Sequence, residues 1–258
     1  VQEYENFIQV HGIDEFVIDA YLEACKVAIN GEKDIEYGLR LTERSKGIIE
    51  RFCMDKTGGT IWDLEKYAFD NKTRYDLIDK YYEPVLLEAQ NKVVDSYFQY
   101  IEKKREPKDR FYMPRRKQLL KIGLVDGLQG MIDDKYNILC ISLIPGAGKT
   151  TIEKFFATAV IGWYPKDFNL FYSHSGDITR MFYDGTLDIV TNADDYAWSE
   201  VFPNLSVTRT DAKMEQFNVS KYKPFPSMQC TSVGSKNAGK VRASKFLLVD
   251  DMIGGIEE

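Results

Sequence analysis

Histidine and cysteine are scarce in this chain. Two histidines and four cysteines (Cys25, Cys53, Cys140, Cys230) stand at no metal-ligand or redox spacing. That leaves no zinc motif and no disulfide framework, and the expected compartment is reducing and cytosolic. No apolar run approaches the roughly 18–20 residues that a membrane span requires, and the opening VQEYENFIQV lacks the charged-then-apolar plan of a secretory signal. A basic excess is missing too. Lys and Arg number 34 against 40 Asp and Glu, a net charge of −6, so any contact with nucleic acid has to come from a local patch. Low-complexity tracts and internal repeats are absent. What is present is an ordinary globular balance, 44% hydrophobic and 29% charged over 258 residues, with room for one large domain or two small ones. The chain starts on Val1 rather than Met, so further chain upstream is expected.

The pattern changes near residue 105. Before it, apolar residues recur at helical spacing and β-branched runs are absent. Asp14 is placed to cap a helix whose inner face carries Val17, Tyr21, Ala24 and Ala28, with Gly31 just beyond its end. A second helix is expected over about 34–54, stopping before Gly58-Gly59. Pro84 suits a further helix start, with Leu86, Val93, Val94, Tyr97 and Ile101 along one face. Residues 1–105 therefore read as an all-helical subdomain, and the charged, Pro-containing stretch Lys103–Arg110 as the join. From 106 to 258 the pattern is α/β. A helix over about 115–131 presents Leu120, Leu124, Leu128 and Met131. The run Ile138–Leu143 has the signature of a buried strand, and 170–173, 228–233 and 246–249 are further strand candidates.

The most informative string follows the first of those strands: Ile144-Pro145-Gly146-Ala147-Gly148-Lys149-Thr150-Thr151. Between a strand and a helical stretch it has the context of a phosphate-binding loop, in which small residues let backbone N–H groups turn inward around phosphates. Lys149 is the residue to reach the β- and γ-phosphates, and the Thr150 hydroxyl the one to ligate Mg²⁺. The first glycine of the full GxxxxGK[ST] pattern is replaced by Leu143. A second half-site is expected at Lys245–Asp251, an apolar strand ending in two acids. Asp250 is expected on the metal side and Asp251 to polarise the attacking water. Two aspartates at a strand end also make an ordinary Asx turn, and it is the upstream loop that gives them a site to belong to.

No Asn-Lys-x-Asp string for guanine follows the loop; the Asn71-Lys72 pair lies ahead of it in the helical part. Upstream instead is Phe111-Tyr112-Met113-Pro114-Arg115-Arg116-Lys117-Gln118, whose Gln amide suits the adenine edge and whose planes suit stacking. ATP is the better fit. His174, flanked by Ser173 and Ser175, has no partner acid at a recognisable spacing and reads as a strand-end residue.

The order of these pieces resembles the ATPase domain of phage large terminase subunits, the motors that package DNA into procapsids. The pieces are the Arg/Gln cluster, PGAGKTT, Leu170–Ser175, Phe202-Pro203, the Gly-rich basic stretch 231–243 and the LLVDD strand. The likeness covers about 111–253. It implies a P-loop NTPase of the additional-strand type, a mostly parallel sheet flanked by helices. It also implies ATP and Mg²⁺ as cofactors, with Arg115 or Arg116 and Gln118 as the adenine motif. Pro145, Gly146, Ala147, Gly148, Lys149, Thr150 and Thr151 become the phosphate loop, Thr150 and Asp250 the metal side, and Lys149 and Asp251 the catalytic pair. The partners implied are double-stranded DNA, a portal protein, a small terminase subunit and further copies in a ring, in the host cytoplasm and with no membrane.

Two departures stand out. The loop offers no Arg as a charge-stabilising finger, which leaves Arg180, Arg209 and Arg242 as candidates. The second acid is Asp rather than the commoner Glu. A terminase also continues past this point into a coupling motif and a nuclease domain, so the 258 residues are expected to be an N-terminal piece that binds nucleotide yet hydrolyses it poorly alone. The competing readings are a helicase-like or other DNA-dependent ATPase, and a nucleotide-binding interaction module without turnover.

Overall fold

The computed structural model describes residues 1–12, 15–31, 40–41, 44–45, 47–48, 82–221, 223–233 and 242–251. The chain divides into two compact units, Val1–Pro84 and Val85–Glu258. Among the described residues the first unit is helical: α1 spans Gln2–His11 and α2 spans Glu15–Gly31, one residue further than the expected stop before Gly31. The buried face of α2 is rotated by about one position from the expected one. Ile18, Tyr21, Leu22 and Cys25 are buried, while Val17, Ala24 and Ala28 are half-buried. Tyr21 donates its hydroxyl to Glu5 (3.2 Å), so a buried phenol is satisfied rather than orphaned. Asp14 and most of the expected 34–54 helix lie outside the described residues.

The second unit starts ahead of the charged join at 103–110, because α3 (Val94–Ile101) belongs to its core. Tyr97 packs edge-on to Trp163, and Phe98 edge-on to Tyr112. The Tyr97 hydroxyl meets that of Thr158 at 2.9 Å, and Trp198 Nε1 donates to Thr158 O (3.0 Å). Both partners come from the central helix α6 (Lys149–Trp163), which is buried along nearly its whole length beyond the first turn. A helix that is apolar all round belongs inside a fold, and α6 packs on α3 and on α7 (Gly176–Thr191).

The helix expected over 115–131 is broken. α4 covers Arg116–Lys121 and α5 covers Leu124–Ile132, with Gly123 between them at φ 73°. Only glycine adopts that left-handed conformation at low cost, so Gly123 caps one helix and opens the next.

The sheet has five strands in the order β2-β3-β4-β1-β5. They are β1 Asn169–Ser173, β2 Arg209–Asp211, β3 Gln216–Asn218, β4 Met228–Ser232 and β5 Phe246–Val249. β1 lies parallel to both β4 and β5, with Asn169 opposite Met228 and Phe246. β3 is antiparallel to β4, and β2 to β3. The chain is thus α/β with a mixed sheet flanked by helices. Phe171 on β1 stacks face to face on Phe182 of α7, with ring centroids 3.7 Å apart, and Phe156 of α6 meets Phe246 of β5 edge-on.

The run Ile138–Leu143 is not a strand. It pairs with no strand of the sheet, and Ile138 (80%), Cys140 and Ser142 are exposed. Apolar composition favours burial, but a strand also needs a hydrogen-bonding neighbour. β5 ends the sheet with Leu247 and Val249 half exposed. Leu139 and Ile141 line one small cavity, of ≈ 120 Å³, together with Phe246–Val249 of β5, so apolar surface on both sides meets without a ladder forming.

Candidate functional site

The loop before α6 is built by its glycines. Gly146 and Gly148 hold φ values of 79° and 84°, both left-handed. Ala147 N–H donates to Ile144 O (3.2 Å), closing a turn. Gly148 then serves as the N-cap of α6 without any side-chain cap. The first N–H groups of that helix have no intrahelical partner and carry the positive end of its dipole. A side chain at 148 is excluded twice over, by φ and by space, since a Cβ there would stand 2.1 Å from the Phe111 ring.

Lys149 and Thr150 are the first residues of α6, and both reach Asp250, about 100 positions later. The Lys149 ammonium is ion-paired with Asp250 Oδ1, and Thr150 Oγ1 donates to Asp250 Oδ2 (3.2 Å). Asp250 follows β5 directly. Its N–H donates to Tyr172 O (3.0 Å), which extends the β1–β5 ladder by one residue, and it is only 5% exposed. The hydrogen bond to Asp250, more than any other influence, raises the Lys149 pKa. Asp251 is exposed and sits at φ 49°. Its carbonyl accepts from His174 N (3.2 Å) and from His174 Nδ1, which must therefore carry a proton in this contact. His174, just past β1, is thus a clamp on the acidic strand end, a role its serine neighbours did not signal.

These residues line one open cavity of ≈ 610 Å³, walled by Leu143–Thr151, Lys154, Ile178, Met181, Asp250 and Asp251. That volume lies within the range of small-molecule sites. The structure therefore gathers Pro145, Gly146, Ala147, Gly148, Lys149, Thr150, Thr151, Asp250 and Asp251 around one space. Gln118 is exposed and is not among the residues lining it, and Arg115 is exposed as well. Arg115 approaches only through Phe111: its guanidinium lies 4.4 Å from the centroid of that ring, which in turn covers Gly148. Arg116 is committed elsewhere, paired through Nε and Nη2 with Asp95. Buried Glu102 accepts from Phe111 N–H (3.0 Å) and Tyr112 N–H (2.8 Å) and so fixes Phe111 over the loop. Its place in the charged run 102–110 concealed that role.

Glu153 is the other residue that sequence reasoning passed over. One turn beyond Lys149 on α6, it is 8% exposed, and its Oε2 has no hydrogen-bond partner. Burial, followed by the charge of Asp250, raises its pKa to about 7, while Lys149 pulls the other way. The spacing i, i+4 from Lys149 was the available signal.

Of the three arginines considered as charge-stabilising fingers, none is among the residues lining the cavity. Arg180 bonds Asp184 (2.9 Å) and Ala212 O (2.7 Å), Arg209 lies on β2, and Arg242 stands over Phe225. The Gly-rich basic residues 234–241 lie outside the described residues. Among the described residues no group of three or more His, Cys, Asp or Glu side chains could hold a metal ion, and no helix is long and apolar enough to cross a membrane. Comparison with protein-family models, with curated proteins and with solved structures returns no match for this chain.

Proposed function

We propose that the second unit is a P-loop ATPase domain that binds ATP with Mg²⁺ and, within a longer protein, drives DNA packaging in the manner of a large terminase subunit. One observation carries the nucleotide reading: a left-handed glycine loop opens α6, and the first two residues of that helix converge on a buried aspartate at the end of a parallel strand. Three chemistries meet there. The loop and helix N-terminus supply N–H donors for phosphate oxygens. Lys149 supplies a mobile cation, presently neutralised by Asp250. Asp250 and Thr150 supply adjacent hard oxygen donors.

The donor set fits Mg²⁺, which takes one or two protein oxygens and completes its shell with phosphates and water. Thr150 and Asp250 would hold it, and the chemistry it would supply there is neutralisation of charge on the transferring phosphoryl group. Phosphates entering the loop compete for Lys149, whose ammonium leaves Asp250 for them. Asp251, exposed on the cavity wall and held through its carbonyl by His174, is the residue positioned to accept a proton from water. Phe111, anchored by Glu102 and backed by Arg115, closes over Gly148 at the edge of the loop.

The packaging role rests on the resemblance in motif order together with this site. Its test is ATP hydrolysis by the chain and by its Asp250→Asn and Asp251→Asn variants, with and without duplex DNA. Duplex-stimulated turnover lost in both variants supports the reading, and turnover unaffected by either variant refutes it. A second reading, nucleotide binding without turnover, is favoured by the lead-in 138–143 lying outside the sheet. Binding of ATP with no turnover under any condition selects it.

A further inference from the structure

A bound triphosphate carries more negative charge than one lysine offsets, and the residues 145–147 of the loop are Pro, Gly and Ala. The arginines at 180, 209 and 242 are not among the residues lining the cavity. One other basic residue lines it: Lys154. Lys154 lies four positions after Thr150 and three after Thr151, so it shares their face of α6, one turn further in. Side chains on a helix lean toward its N-terminus, so a long side chain at 154 covers the turn that carries the two threonines.

The Lys154 ammonium makes no hydrogen bond or ion pair among the described residues. Asp184, whose charge acts on it, is already bonded to Arg180 (2.9 Å). Burial lowers its pKa, whereas the hydrogen bond to Asp250 raises that of Lys149. The wall opposite is shaped to admit it: a Cβ added at Gly185 of α7 would stand 2.7 Å from Nζ. A half-buried cation with no partner among the described residues costs free energy, and an anion in the cavity offsets that cost.

We propose that Lys154 is a second phosphate-binding cation of this site, one that contacts the terminal phosphate of a bound nucleoside triphosphate and takes the place of the arginine the loop lacks. The inference rests on the nucleotide reading given above and adds a residue and a selectivity to it. Four rotatable bonds carry the ammonium from the Gly185 wall toward the loop, where it joins Lys149 in answering the charge of the β- and γ-phosphates. The site then distinguishes triphosphate from diphosphate through Lys154.

The experiment uses the whole chain and compares the affinities for ATP and ADP, each with Mg²⁺, in wild type, Lys154→Met, Lys154→Arg and Lys149→Ala. Methionine keeps an unbranched stem and removes the charge. Losing one charge-assisted contact is expected to weaken ATP binding by about ten-fold or more. ADP binding should stay within about two-fold of wild type, arginine should restore the ATP preference, and melting of the nucleotide-free protein should not fall. A purely structural lysine gives a different result, with ATP and ADP weakened together and a lowered melting temperature. That result overturns the proposal, as does unchanged ATP binding in Lys154→Met. If Lys149→Ala loses ATP while Lys154→Met keeps it, the nucleotide site stands and only Lys154's role fails. If wild type binds neither nucleotide, both readings fall.

Discussion

Glu153→Gln is expected to stabilise the nucleotide-free protein, and by more the higher the pH. The Glu153 carboxyl is 8% exposed, lacks a partner for Oε2, and faces the negative charge of Asp250. Its pKa rises from 4.5 to about 7. Because the folded-state value is the higher one, the folded protein holds the extra proton between those limits. The carboxyl's contribution is complete below pH 4.5 and is lost as pH rises through 7. Each pH unit between the two values is worth about 1.4 kcal/mol, so the difference amounts to about 3 kcal/mol by pH 8. Glutamine keeps the shape and a donor toward Asp250 and never ionises. Chemical denaturation of both proteins between pH 4.5 and 8 reads the effect. The curves should lie together at the acid end and separate by about 3 kcal/mol at pH 8, with the variant the more stable. Parallel curves across this range would refute the claim that a buried, partly protonated carboxyl sits beside Asp250.

Two further perturbations probe the supports of the loop. Glu102→Ala removes the acceptor of the Phe111 and Tyr112 N–H groups; it should cost about 3 kcal/mol in denaturant and loosen Phe111 from Gly148, reported by Phe111 ring shifts in NMR. Gly148→Ala places a Cβ 2.1 Å from the Phe111 ring at φ 84°; ATP affinity should fall at least ten-fold, and an alanine variant that binds as wild type would show that the loop geometry is not required.

What could be read from the sequence was chemistry held in short strings. Gly148-Lys149-Thr150 and Val249-Asp250-Asp251 were identified separately, and the structure joins them through the Lys149–Asp250 pair. Strands β1 and β5 were legible because each has a compact apolar run, and β4, of mixed polarity, as the stretch 228–233. The run Ile138–Leu143 looks the same, but composition carries no information about which neighbour pairs with a strand. Gly123 was hidden inside an otherwise regular helical pattern, where one glycine is a weak signal until φ is known. The β2–β3 hairpin was missed because its strands are three residues long and mostly polar. Its turn, in which Asp211 Oδ1 accepts from Lys213 N–H and Met214 N–H (both 3.1 Å), was readable as an Asx signal. Glu102, Glu153 and Lys154 escaped because what sets them apart is tertiary burial, which the i, i+4 spacing of Glu153 from Lys149 does not disclose.

Whether this loop binds a nucleotide is decided by calorimetric titration of the chain with ATP in the presence and absence of Mg²⁺, beside Lys149→Ala. One saturable site per chain is expected, tighter with Mg²⁺ and weakened at least ten-fold in the variant. A wild type that gives no heat of binding, or a variant that binds as well as wild type, would contradict it.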